Sequence, residues 1–204
     1  MVNYFCRPHQ IGGGVCIFLR NKANIQFKIR NDINNLAEER VFEICAIEIV
    51  SPINCVLISC YKVPDISNET YFYKKLSHLL DIVCKHNVQI ILCGDLNIDL
   101  CNHTKRIHLE ECIAIANCFV LSREPTRIVT TKVSHSETAI DVIISNNTDV
   151  NFVGNLDHGL SDHHAQLLEI NCVVVMPEVQ DDVLFKVRSF VKTILPALCQ
   201  KWRK

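Results

Sequence analysis

A carboxylate and a carboxamide stand two residues apart in Cys93-Gly94-Asp95-Leu96-Asn97, directly after the apolar run Ile90-Ile91-Leu92. A short apolar segment bounded by polar residues reads as a buried strand. Its end presents Asp95 and Asn97 at the carboxyl edge of a sheet, where α/β folds commonly place their chemistry. A carboxylate there binds a hard cation or activates water, and a neutral amide holds an oxygen without competing for protons. The same three residue types, Gly, Asp and Asn, also make plain polar turns. Other strand ends carry comparable groups: Tyr61 in Ser59-Cys60-Tyr61-Lys62, Asp141 in Ile140-Asp141-Val142-Ile143-Ile144, and the run Ser161-Asp162-His163-His164. An acid inside an apolar strand is costly unless paired or ligating, so Asp141 needs a partner. A histidine suits it, because a carboxylate on one ring nitrogen fixes the tautomer of the other. On the residues alone, Tyr61 serves equally as a half-buried strand aromatic, Asp162 as a turn cap and His164 as a surface histidine.

The elements that must position these groups are legible from periodicity. Strands are expected at residues 15–19 after Gly12-Gly13-Gly14, at 25–29, around 42–49, and at 55–61. Further strands are expected at 88–92, 140–144, 150–153 and 166–175. A helix capped by Ser67 or Asn68 and running to about residue 87 places Phe72, Leu76, Leu79, Leu80 and Val83 on one face. A second helix is expected over residues 105–117, with Ile107, Cys112, Ile113, Ile115 and Ala116 on its apolar side. Strands outnumber helices and short turns link several neighbours, which indicates a mixed α/β layered fold with much antiparallel sheet. After Met176-Pro177 the character changes: residues 183–195 read as helix, and the end is basic.

Composition sets the outer bounds. The chain has 204 residues, 49% apolar and 21% charged, enough for one domain with a substantial core. A formal net charge of -1 leaves nucleic-acid binding to a local basic patch. No apolar stretch is long enough to span a bilayer, and residues 1–10 lack a secretory-signal layout. Among the 12 cysteines no Cys-x-x-Cys pair occurs, and most lie inside apolar runs. That pattern indicates free thiols in a reducing compartment, nuclear or cytoplasmic, rather than a disulfide framework or a structural zinc site.

Taken together, the motifs resemble a family. Gly94-Asp95-Leu96-Asn97 resembles the "GD-aromatic-N" motif of the endonuclease/exonuclease/phosphatase superfamily, Ser161-Asp162-His163 its closing "SDH", and Asp141 the strand acid between them. Gly12-Gly13-Gly14-Val15, the Tyr61 segment, Asn97-Ile98-Asp99 and Pro125-Thr126-Arg127-Ile128 are similar to the apurinic-type endonuclease domains of LINE-type non-LTR retrotransposons. The resemblance covers roughly residues 10–172. It implies a DNase I-like fold, a two-layer β-sandwich flanked by helices in four layers. It also implies a magnesium-dependent DNA endonuclease, with manganese as a substitute, that nicks target DNA for reverse transcription. His163 would act at the scissile phosphate with Asp141 orienting it, and Asp95 would position the attacking water or protonate the leaving oxygen. Asn97 would orient phosphate oxygens, Tyr61 would donate to the phosphate, Asp162 would bind magnesium, and Arg127 would lie near the DNA. Another phosphodiesterase or phosphatase of the same fold is the competing activity.

The sequence departs from the family in one consequential way. The family's first two strands, with an Asn and a metal-binding Glu, lie upstream of the glycine run, where this chain has only eleven residues and no acid. The expected reading is therefore a domain over residues 1–176 truncated at its start, with weak or absent nicking. A catalytically inactive fragment is the alternative. Residues 177–204 would form a helical basic tail, a linker toward a missing reverse transcriptase.

Overall fold

The computed structural model describes residues 3–9, 12–20, 25–85, 88–170 and 185–189. Its strands, in chain order, begin with β1 (Asn3–Phe5), β2 (Val15–Ile17), β3 (Gln26–Ile29), β4 (Glu43–Ser51), β5 (Cys55–Tyr61) and β6 (Gln89–Asp95). They continue with β7 (Phe119–Val120), β8 (Arg127–Thr130), β9 (His135–Thr138), β10 (Asp141–Ser145), β11 (Val150–Leu156), β12 (Ala165–Ile170) and β13 (Phe185–Ser189). The helices are α1 (Asn31–Asn34), α2 (Glu69–Val83) and α3 (His103–Ala114).

The central layer is a six-stranded sheet in the order β3-β4-β5-β6-β10-β7. Its middle strands carry apolar residues on both faces along most of their length because both faces are covered. Ile44, Ala46, Val56, Ile58, Ile90, Leu92, Val142 and Ile144 pack with Phe72, Leu76, Leu79, Val83, Leu109 and Ile113 of the helices. The intervening residues Cys45, Ile47, Leu57, Ile91, Cys93 and Ile143 face Val15 and Ile17 of β2 and Leu168 and Ile170 of β12. Those come from the second layer, a β1-β2 pair and the sheet β11-β12-β13. The expected mixed α/β sandwich with helices outside it is thus formed by the described residues. None of their helices is long and apolar enough to cross a membrane.

Periodicity located α2 well: its buried residues are Phe72, Leu76, Leu79, Leu80 and Val83, the expected face. The ends differ. Asn68 occupies the cap position without a side-chain hydrogen bond, and the helix stops at Val83 rather than near residue 87. Residues 86 and 87 lie outside the described ones. Helix α3 starts two residues earlier than expected because Asn102 caps it, accepting from the Lys105 N–H at 3.1 Å. Its buried residues are Leu109 and Ile113, whereas Ile115 is 79% exposed. Strand β3 was expected to be half-buried, yet all four of its residues are exposed. It forms the sheet's edge, beyond the reach of the helices. The helix expected over 183–195 is not what β13 shows: Phe185–Ser189 is a strand paired antiparallel to β12. The rest of residues 177–204 lies outside the described ones.

The cysteines described are free. Cys45, Cys55, Cys60, Cys93 and Cys118 are buried, as thiols in apolar runs are expected to be, whereas Cys84 and Cys101 are exposed. Burial pushes the Cys45 and Cys60 thiols far up, and the Cys118 thiol to about 12, so little thiolate forms near neutral pH. Brief iodoacetamide treatment at pH 7.5 is expected to alkylate Cys84 and Cys101 and spare Cys45 and Cys60 until denaturant is added. Peptide mass spectrometry checks this directly, and rapid labelling of Cys45 in the native chain would contradict the packing.

Candidate active site

The site forms where β6 and β10 run side by side. Asp95 ends β6 and Asp141 begins β10, and the antiparallel register sets the two residues opposite each other. Gly94 makes this possible. Its φ is +146°, and a Cβ there would lie 1.8 Å from the carbonyl oxygen of Cys60 on β5. A side chain would therefore force β5 and β6 apart at the point where the carboxylate emerges.

His163 arrives from the turn before β12. Its Nδ1 hydrogen-bonds Asp141 Oδ2 at 2.8 Å, with both side chains almost wholly buried. The partner that an acid in an apolar strand requires is thus the histidine expected from the sequence. Asp95, Asp141 and His163 each place a ligand atom within 4.8 Å of the others. Among the described residues, this is where such side chains converge. Asp141 Oδ1 is buried and makes no hydrogen bond. Two carboxylates so close concentrate negative charge, which a divalent cation offsets. A buried carboxylate oxygen with no donor, beside a second carboxylate, fits magnesium or manganese, which ask one or two carboxylates of the protein.

The remaining expected residues surround this group in different ways. Asn97 adopts a positive φ of +50°, its backbone N–H donates to Asp95 Oδ1 at 2.9 Å, and its Nδ2 donates to the Lys62 carbonyl at 2.7 Å. The Lys62 N–H in turn donates to the Asp95 carbonyl at 3.0 Å. These bonds tie the end of β5, which carries Tyr61, to the end of β6. Burial, and after it the Asp95 carboxylate, push the Tyr61 phenol upward, while Arg7 opposes the rise. The phenol is therefore a donor at neutral pH. Asp162, expected as a magnesium ligand, is outside the converging group: its Oδ2 accepts from Arg127 Nε at 2.7 Å. That hydrogen bond, the largest influence on it, holds the Asp162 carboxyl below its ordinary range. Both side chains of this pair are about two-fifths exposed (40% and 41%), so it contributes little to stability.

Thr126 stands in the Pro125-Thr126-Arg127-Ile128 segment, but its sequence context alone carries no signal of its structural role. It is fully buried, and its hydroxyl oxygen accepts from the N–H groups of Ile140 at 3.2 Å and Asp141 at 3.0 Å. Its backbone joins both neighbours: Thr126 N–H donates to the Thr138 carbonyl, and the His164 N–H donates to the Thr126 carbonyl. The Ile128 N–H donates to the Asp162 carbonyl. The Pro125-Thr126-Arg127-Ile128 segment is thus a brace between the strand holding Asp141 and the turn holding His163. Thr126→Val removes the shared acceptor and leaves two buried N–H groups unmatched, a loss of about 2–4 kcal/mol. Thermal unfolding is expected to show that loss, and catalysis below the transition should fall as well. An unchanged Tm would mean the brace is unimportant.

No protein-family model matches the sequence, and a comparison with curated proteins finds no match. Solved structures do match. The endonuclease domain of TRAS1, a telomere-specific non-LTR retrotransposon, superposes with a TM-score of 0.58 at 15% identity, covering 74% of this chain and 70% of that domain. An endonuclease/exonuclease/phosphatase family protein from Leptotrichia buccalis gives 0.51 at 19% identity, covering 63% of this chain and 53% of that one. At these identities the likeness speaks for architecture. The chain has the DNase I-like fold that these two structures share.

Proposed function

We propose that this chain hydrolyses phosphodiester bonds of DNA, slowly and with a divalent cation, by way of Asp95, Asp141 and His163. The observation that supports this most is the convergence of those three side chains with the Asp141–His163 hydrogen bond in place. Asp141 holds the ring of His163, so that Nε2 meets the phosphate or the attacking water. Asp95 positions that water, or returns a proton to the leaving oxygen. Tyr61 donates its phenolic hydrogen to a phosphate oxygen, and Asn97 offers the N–H not used by Lys62. Magnesium or manganese, held by the Asp95 and Asp141 carboxylates, would neutralise charge that develops on the phosphate. Arg127, with Asp162 beside it, meets the DNA backbone at the rim.

The likeness to a retrotransposon endonuclease domain favours DNA over other phosphodiesters, and a nick made for priming implies a reverse transcriptase as functional partner. Supercoiled plasmid, inositol phosphates and a short RNA, each incubated with magnesium, with manganese and with chelator, separate these classes. Cation-dependent conversion of plasmid to open circles, with the other substrates untouched, is expected. Release of phosphate from inositol phosphates alone would overturn the reading. A second reading, a DNA-binding domain without turnover, is favoured by burial: Asp95, Asp141 and His163 are 0%, 2% and 2% exposed. It is distinguished by salt-sensitive plasmid retention with no nick under any cation.

A further inference from the structure

Arg7 and Glu43 form a second buried charged cluster one strand away from the site. Glu43 begins β4 directly opposite Tyr61, the last residue of β5. Its side chain is fully buried, and three donors meet its carboxylate: Arg7 Nε at 2.5 Å, the Gly14 N–H at 2.6 Å and the Arg40 N–H at 3.0 Å. A buried carboxylate with three donors has one available position. Arg7 is fixed in turn. A Cβ on residue 13 would lie 2.3 Å from its Cζ, so the guanidinium packs directly against Gly13 while its Nε is held by Glu43. From there its Cζ lies 5.9 Å from the centre of the Tyr61 ring.

This arrangement decides between two uses of an arginine near a phosphate site. A guanidinium whose charge is already matched by a buried carboxylate has little net attraction for an incoming phosphate. Against the face of a phenol, however, it offers a rigid cationic surface. We propose that the Arg7–Glu43 pair is a positioning device for Tyr61, holding the phenol ring so that its hydroxyl faces the scissile phosphate. The groups that face this ring are Arg7, Glu43 and Asp95, and the first two form the part that can be removed without touching the converging acids. The proposal rests on the proposed function for its catalytic consequence, although the ring contact itself does not.

The test is a double-mutant cycle. Arg7→Met alone would strand the Glu43 carboxylate in the core and risk misfolding, so it is combined with Glu43→Gln, which removes both charges and keeps the volume. With plasmid as substrate, the combined variant is expected to lower kcat about tenfold with KM little changed. In a Tyr61→Phe background the same pair is expected to change nothing further. A loss that multiplies with Tyr61→Phe, or no loss at all, would overturn the proposal. Arg7→Lys, which keeps the ion pair but loses the flat guanidinium, is expected to fold and to show most of the defect. Full activity in Arg7→Lys counts against the ring contact. If the wild-type chain nicks nothing, the proposed function fails and the ring is read by itself. Tyrosine 13C NMR, with the Tyr61 signal assigned through Tyr61→Phe, should then show that signal shifted in the combined variant. An unmoved Tyr61 signal overturns the inference.

Discussion

Asp141→Asn is expected to lower nicking by about 10³-fold or more while leaving the fold intact. The substitution preserves the size and shape of the side chain, and the strand pairing of β10 does not involve the carboxylate. What changes is the hydrogen bond at 2.8 Å to His163 Nδ1. A carboxylate only accepts, so Nδ1 carries the hydrogen and Nε2 is left with a lone pair toward the reaction. An asparagine can instead turn its NH₂ to the ring, which moves the hydrogen to Nε2 and removes the base. The loss of one of two converging carboxylates also weakens the hold on the cation, so raising manganese is expected to recover only part of the activity. Steady-state nicking rates, with circular dichroism confirming a native fold, check this. A variant within tenfold of wild type would mean that Asp141 merely satisfies the histidine.

Gly94→Ala is expected to prevent folding outright. A methyl group at this position has to share space with the Cys60 carbonyl oxygen, 1.8 Å away. Neither atom can yield cheaply, because both belong to the backbones of paired central strands. Separating them breaks the β5–β6 ladder and opens both faces of the core, since Ile58 and Leu92 pack on one side and Leu57 and Cys93 on the other. Losses above about 4 kcal/mol are unusual for one methyl group and consume a large part of a domain's stability. Insoluble expression, or a soluble product without a cooperative melt, is expected. A native-like melt within a few degrees of wild type would show that the close approach of β5 and β6 is not real.

Much of the site was readable in advance because its residues sit at the ends of strongly patterned strands. The apolar run before Asp95 and the acid embedded in residues 140–144 stood out against their neighbours. Burial on both faces explains why β4, β5, β6 and β10 lack alternation. The demand that a buried acid find a partner led from Asp141 to His163. The same demand applies to Glu43, within Phe42-Glu43-Ile44, and Arg7 is the partner that meets it. Other features had no local signal. Thr126 acts through backbone groups 14 and 15 residues away, and Asp162 turns to Arg127 across 35 residues. The β8–β9 hairpin carries too few apolar residues to read as strands. In residues 185–189 an alternation of Phe, Lys, Val, Arg and Ser competes with the helical spacing of the wider segment, and sheet pairing with β12 prevails.

Two carboxylates within reach of one another meet the minimum that a magnesium ion asks of a protein, so hydrolysis is expected to be slow instead of absent. The most direct test places wild-type chain and His163→Ala side by side on supercoiled plasmid with magnesium. Slow, chelator-sensitive conversion to open circles by the wild-type chain, and none above background by His163→Ala, is the expected result. Equal nicking by both chains, or none by either, would contradict hydrolysis at this centre.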